Sequence, residues 1–81
     1  MRLDLLLYRL RLVRSRSKAK ALVESGHVRI DGRRAQRANA LVSAGDTLTF
    51  PIGRCVHVLR ILALPERRGP ATEAQQCYER L

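Results

Sequence analysis

The chain is poor in the residues on which many functions are built. Only three of its 81 residues are aromatic (Tyr8, Phe50 and Tyr78), and it has no tryptophan. Proteins that read single-stranded or splayed nucleic acid rely on aromatic stacking platforms, so recognition of backbone and shape is expected here rather than of base sequence. Cysteine is equally scarce: Cys55 and Cys77 are too few for a disulfide framework, and no CxxC pair occurs, so no metal site is expected. No apolar run is long enough to span a membrane. Leu5-Leu6-Leu7 is too short for the core of a secretion signal, and Arg9 and Arg11 keep it from extending further along the chain. A cytoplasmic protein without a membrane partner is the expectation. There is no glycine-rich cofactor loop, no nucleophile with a base beside it and no paired catalytic carboxylates, so neither an enzyme, a cofactor nor a small-molecule substrate is expected.

What the chain does have is positive charge, unevenly placed. The formal net charge is +9, and residues 1–37 hold eleven Lys and Arg against Asp4, Glu24 and Asp31, a net +8. The remainder is nearly balanced. A one-sided field of this kind suits a polyanion, whereas a face kept basic only for solubility usually mixes both signs.

The hydrophobic pattern places this charge on secondary structure. Leu3, Leu6, Leu7, Leu10 and Val13 recur at helical spacing and predict a first helix from about Leu5 to about Val13, with Asp4 as its N-cap and Leu3 stapled to Tyr8. Ser15, or alternatively Ser17, caps a second helix whose buried face is Ala19, Leu22 and Val23, and Gly26 stops it. The period then changes to two: Val28 and Ile30 point one way, His27 and Arg29 the other. Asp31-Gly32 is a two-residue hairpin signal, with Arg33-Arg34-Ala35 on the return. A turn at Ala44-Gly45-Asp46 leads into a strand over Thr47–Phe50, and Pro51-Ile52-Gly53 turns the chain again. Cys55–Leu64 reads as a strand because its apolar residues are largely β-branched. After a basic loop at Arg67–Pro70, a last helix is expected over roughly Glu73–Arg80.

The order Arg2-Leu3-Asp4, Ser15-Arg16, Gly26-His27-Val28-Arg29-Ile30-Asp31-Gly32, Val42 and Gly45-Asp46 resembles the S-four RNA-binding domain, named after small-ribosomal-subunit protein four. The core of the resemblance spans residues 2–50. The continuation through Arg67-Arg68-Gly69-Pro70-Ala71-Thr72-Glu73-Ala74 to Tyr78 is similar to the fifteen-kilodalton heat-shock and ribosome-quality-control members of that family. Leu5 stands where the family commonly has lysine, and Arg37-Ala38 where it commonly has a proline. The resemblance implies contact with large-subunit rRNA and tRNA on large ribosomal subunits that carry a stalled nascent chain.

The expected fold is α+β: a two-helix pair packed on a small, mostly antiparallel, twisted sheet, with a short C-terminal helix. Residues 1–66 are read as one domain and 67–81 as a basic loop and helix attached to it. The RNA-contact set centres on Arg14, Arg16, Lys18 and Lys20, at the helix junction and along the start of the second helix, where guanidinium and ammonium groups and a helix N-terminus favour phosphate. Arg29, Arg33 and Arg34 extend it from the hairpin; Arg2, Arg9 and His27 complete it. Two other functions remain open at this point: an accessory module of an RNA-modifying enzyme, to which the same domain is often appended, and a helix-turn-helix DNA-binding protein.

Overall fold

The computed structural model describes all residues, Met1–Leu81, and has the expected α+β architecture. Helix α1 (Leu3–Arg9) and helix α2 (Arg16–Glu24) pack against a sheet of five strands. These are β1 (Arg29–Ile30), β2 (Arg33–Arg34), β3 (Thr47–Ile52), β4 (Cys55–Ile61) and β5 (Tyr78–Arg80), in the order β2-β1-β3-β4-β5, and every pairing is antiparallel. A short helix α3 (Ala71–Gln75) precedes β5. The core joins Leu3, Leu6, Leu7 and Leu10 of the first helical segment and Ala19 and Val23 of α2 to Leu48, Phe50, Leu59 and Ile61 of the sheet. Leu22, expected in the core, is half-buried at its rim.

Helix α1 is shifted from its expected place. It begins at Leu3 rather than Leu5, and Asp4 is not its cap: Arg2 is, in extended conformation and without a side-chain cap bond. The first two amides are satisfied by a distant loop instead, Leu3 N–H donating to Ala40 O (2.8 Å) and Asp4 N–H to Ala38 O (3.0 Å). Open amides at a helix start need partners, and here tertiary carbonyls replace a local side chain. Leu3 therefore lies inside the helix, fully buried, and the Leu3–Tyr8 staple does not form in the expected sense; Tyr8 lies beneath the guanidinium of Arg68 instead.

The helix ends at Arg9, short of Val13, in a Schellman turn. Arg11 N–H donates to Tyr8 O (3.1 Å) and Leu12 N–H to Leu7 O (3.1 Å), with Arg11 itself at φ +60°. That left-handed position normally takes glycine. Arg11 is held there partly from outside: its Nε donates to Gly69 O at 2.6 Å.

Helix α2 begins as expected, with the Ser15 hydroxyl accepting the Lys18 N–H at 3.2 Å. Gly26, at φ +83°, ends it in the left-handed conformation that glycine adopts at little cost. Asp31 and Gly32 both have positive φ, 51° and 82°, which is a type I′ turn whose twist suits a hairpin.

Two expectations for the C-terminal half are corrected. β3 runs on through Pro51 to Ile52, so the turn falls at Gly53-Arg54, and β4 stops at Ile61 rather than Leu64. The last helix ends at Gln75, and residues 78–80, expected to be helical, form β5 on the edge of β4, with Ile61 opposite Tyr78 and Leu59 opposite Arg80. An open strand edge presents unpaired amides and carbonyls, and the tail satisfies them.

Candidate nucleic-acid interface

The basic surface is organised around a buried acid. Asp4 is 3% exposed and accepts two hydrogen bonds from Arg2, from Nε at 3.1 Å to one carboxylate oxygen and from a terminal nitrogen at 3.0 Å to the other. Arg16 approaches the same carboxylate at 3.7 Å, reaching it from the first turn of α2. A buried carboxylate needs such partners, and it has them from both helices. Both arginine side chains stay about half exposed, at 50% and 52%, so each presents part of its guanidinium to solvent. Asp4 thus orients two cations side by side without removing them from the surface.

The loop that caps α1 also shapes this surface. The main chain of Ala38 and Ala40 is fixed to α1, and a short antiparallel bridge pairs Arg2 with Leu41. The 36–40 segment is therefore pinned between α1 and the hairpin, and a depression lies on either side of it. One is bounded by Arg2, Lys20, Glu24, Arg37 and Asn39; the other, an open groove of about 730 Å³, by Arg33, Arg34, Arg37, Gln36 and Asn39. Arg37 and Asn39 belong to both, so the two form one track from the helix pair to the hairpin. None of Lys20, Arg33, Arg34 and Arg37 takes part in an ion pair. Arg37 was not among the contact residues expected from sequence. It lies in a polar stretch without periodicity, and only the docking of Ala38 and Ala40 brings it between Lys20 and the hairpin.

The expected contact residues do not all converge. Arg2, Arg16 and Lys20 lie together, as the i, i+4 spacing of Arg16 and Lys20 requires. Lys18 is exposed on a different face of α2, because residues two apart on a helix do not face each other. Arg14 is exposed in the α1–α2 connection. Arg9 is half-buried and donates to Pro65 O at 3.0 Å, so its charge is used within the fold. His27 is exposed, with Nδ1 2.9 Å from the Ser25 hydroxyl. Arg29 is exposed and directly opposite Arg34 in the hairpin register. Like charges directly opposite each other destabilise a sheet, and here the two side chains diverge: the Arg29 guanidinium donates to Gly32 O at 3.3 Å, toward the turn, whereas Arg34 runs toward Gly26. The aliphatic stem of Arg34 passes beside Gly26, its Cδ 3.7 Å from where a Cβ would stand.

Comparison with known proteins places the chain in a family. The S4 domain family model matches residues 1–48. Over 78 residues the chain is 37% identical to a heat shock protein 15 homolog of Haemophilus influenzae and 33% identical to heat shock protein 15 of Escherichia coli. Each alignment covers 96% of this chain, which spans only 59% and 58% of those relatives' lengths. The small ribosomal subunit protein uS4 of Trichlorobacter lovleyi is 47% identical over 49 residues, 60% of this chain and 24% of that protein. Among solved structures, the trimeric heat shock protein 15 of Vibrio cholerae superposes with a TM-score of 0.94 at 33% identity, covering all of this chain and 81% of that one.

Proposed function

This chain belongs to the S4 domain family of RNA-binding proteins, in its heat shock protein 15 branch, and on that premise we propose that it is a non-catalytic factor of the large ribosomal subunit. In this reading it acts in the cytoplasm. It contacts large-subunit rRNA and tRNA during rescue or quality control of subunits that carry stalled nascent chains. No helix is long and apolar enough to cross a membrane.

The observation that carries the reading is the continuous track of solvent-facing cations, Arg2, Arg16, Lys20, Arg37, Arg33 and Arg34. These six residues come from four segments of chain. Arginine meets phosphate with paired N–H donors and lysine as a point charge, and neither requires a base sequence. Of the other RNA-contact residues read from the sequence, Arg14 and His27 are peripheral contacts in this reading, and Lys18 and Arg9 contribute only long-range charge.

Sedimentation tests the reading. In a sucrose gradient of cell extract, the tagged protein is expected with free large subunits, and more of it there when nascent chains are stalled. Migration with small subunits, or at the top of the gradient under both conditions, would contradict it.

A further inference from the structure

The groove between the hairpin and the 36–40 loop differs in kind from the rest of the track. A phosphate backbone is met well by an array of cations on an open surface; it gains nothing from an apolar floor. This groove has one. Ile30, Ala35 and Ala40 form its apolar lining, half-buried or nearly buried. Arg33, on the same strand face as Ile30, and Arg37 line it as well, with part of Arg34, none of them engaged in an ion pair. Between them stand Gln36 and Asn39, both exposed, each carrying an amide donor and acceptor. The one carboxylate at the rim, Asp31, is occupied in accepting the Thr47 N–H at 2.8 Å.

From this arrangement we infer that the groove seats a single unpaired nucleotide of the bound RNA, extruded from a bulge or loop. The inference rests on the RNA-binding reading and names the RNA feature that this part of the interface selects. The apolar floor takes the face of the base, the amides of Gln36 and Asn39 meet its hydrogen-bonding edge, and the arginines hold the flanking phosphates. The guanidinium plane of Arg37 or Arg33 supplies the stacking surface that other RNA readers take from aromatic rings. No aromatic side chain is available for that purpose: Phe50 is 1% exposed, Tyr8 lies beneath Arg68, and Tyr78 faces Arg80.

The groove is also held in shape before RNA arrives. Its hairpin wall is extended by the Ala35 N–H to Val28 O bond at 2.8 Å, and its loop wall is tied to α1 through Ala38 and Ala40. A preformed wall lowers the ordering cost of binding.

The test compares two RNA hairpins of equal length, one fully paired and one with a single extruded nucleotide, by fluorescence anisotropy at fixed salt. Wild-type protein is expected to prefer the bulged RNA by about tenfold, the discrimination available to one well-made edge contact. The Gln36→Ala/Asn39→Ala variant alters two exposed side chains and no charge, and it is expected to bind both hairpins alike. A 2-aminopurine at the extruded position is expected to change its emission on binding wild type and not on binding this variant. Equal affinity of wild type for the two hairpins overturns the inference, as does a preference that survives in the double variant. Binding to neither hairpin overturns the RNA-binding reading itself and this inference with it.

Discussion

Apart from Arg9 and Arg11, which donate to carbonyls of the 65–69 loop, the first 40 residues use arginine differently from the last 22. In the first 40 residues Arg2 and Arg16 share a buried carboxylate and remain half exposed, while Arg33, Arg34 and Arg37 have no acidic partner. In the last 22 residues every arginine has a side-chain or carbonyl partner within the fold. Arg60 pairs with Glu79 at 3.3 Å and Arg67 with Glu73 at 3.0 Å. Arg80 lies 2.8 Å from His57 Nδ1. Arg68 donates to the carbonyls of Tyr8 and Val13 and lies 4.4 Å over the Tyr8 ring. A cation marks the interface where it stays solvent-facing, either unpaired, as in Arg33 and Arg37, or sharing one carboxylate, as in Arg2 and Arg16. A count of cations would give the C-terminal loop and the hairpin similar weight; their partners separate them.

The difference can be broken by mutation. The largest effect belongs to the core that both halves share: Leu6→Ala, at a fully buried position, is expected to cost about 2–5 kcal/mol in thermal or denaturant unfolding. A loss below about 1 kcal/mol would place Leu6 outside the core. Next comes Arg68. Arg68→Ala removes a stacked guanidinium and the donor to the Val13 carbonyl, while Tyr8 O keeps the Arg11 N–H, and it is expected to destabilise by about 2 kcal/mol. Its neighbour Arg67, 70% exposed and paired to a half-exposed glutamate, is expected to change stability by less than about 0.5 kcal/mol when replaced by alanine. Equal melting temperatures for the two variants would remove the distinction between a clasping and a surface arginine.

A smaller effect sharpens the first half of the comparison. Asp4→Asn makes the protein more positive, so attraction by net charge alone would tighten RNA binding. If Asp4 instead holds Arg2 and Arg16 in register, affinity falls by about fivefold, roughly 1 kcal/mol. Anisotropy on a structured rRNA fragment reads the sign directly, and tighter binding would mean that Asp4 competes with phosphate rather than arranging its ligands. Smallest of all, Arg16→Ala is expected to leave stability nearly unchanged, because its 3.7 Å approach to Asp4 comes from a half-exposed side chain.

Much of the fold was legible because its signals are local. Ser15 and Gly26 bound α2, and Asp31-Gly32 makes the hairpin, each through the chemistry of one or two adjacent residues. What escaped was tertiary. Asp4 has the composition of a helix cap, yet Ala38 and Ala40 provide the capping carbonyls from 34 or more residues away in sequence. Glu73–Arg80 has helix-compatible residues, but the open edge of β4 takes Tyr78–Arg80 as a strand. The site divides in the same way. Arg2, Arg16, Lys20, Arg33 and Arg34 could be proposed from charge density, whereas Lys18 required helical phase to be set apart, Arg9 required the position of Pro65, and Arg37 required the docked loop.

The most direct test of the account is the salt dependence of RNA binding in two charge-matched variants. One replaces Arg2, Lys20, Arg33 and Arg37 with alanine; the other replaces Arg54, Arg60, Arg67 and Arg80. Wild type, making about four to six phosphate contacts, is expected to show a log–log slope of roughly −3 to −5 on a structured rRNA fragment, since each neutralised phosphate releases counterions. The first variant is expected to lose affinity on all RNA sequences alike, with the slope falling by somewhat under one unit for each contact removed. The second, with the same loss of net charge, is expected to keep most of the slope. If the second variant loses as much affinity and slope as the first, the interface does not lie along the helix-pair and hairpin track.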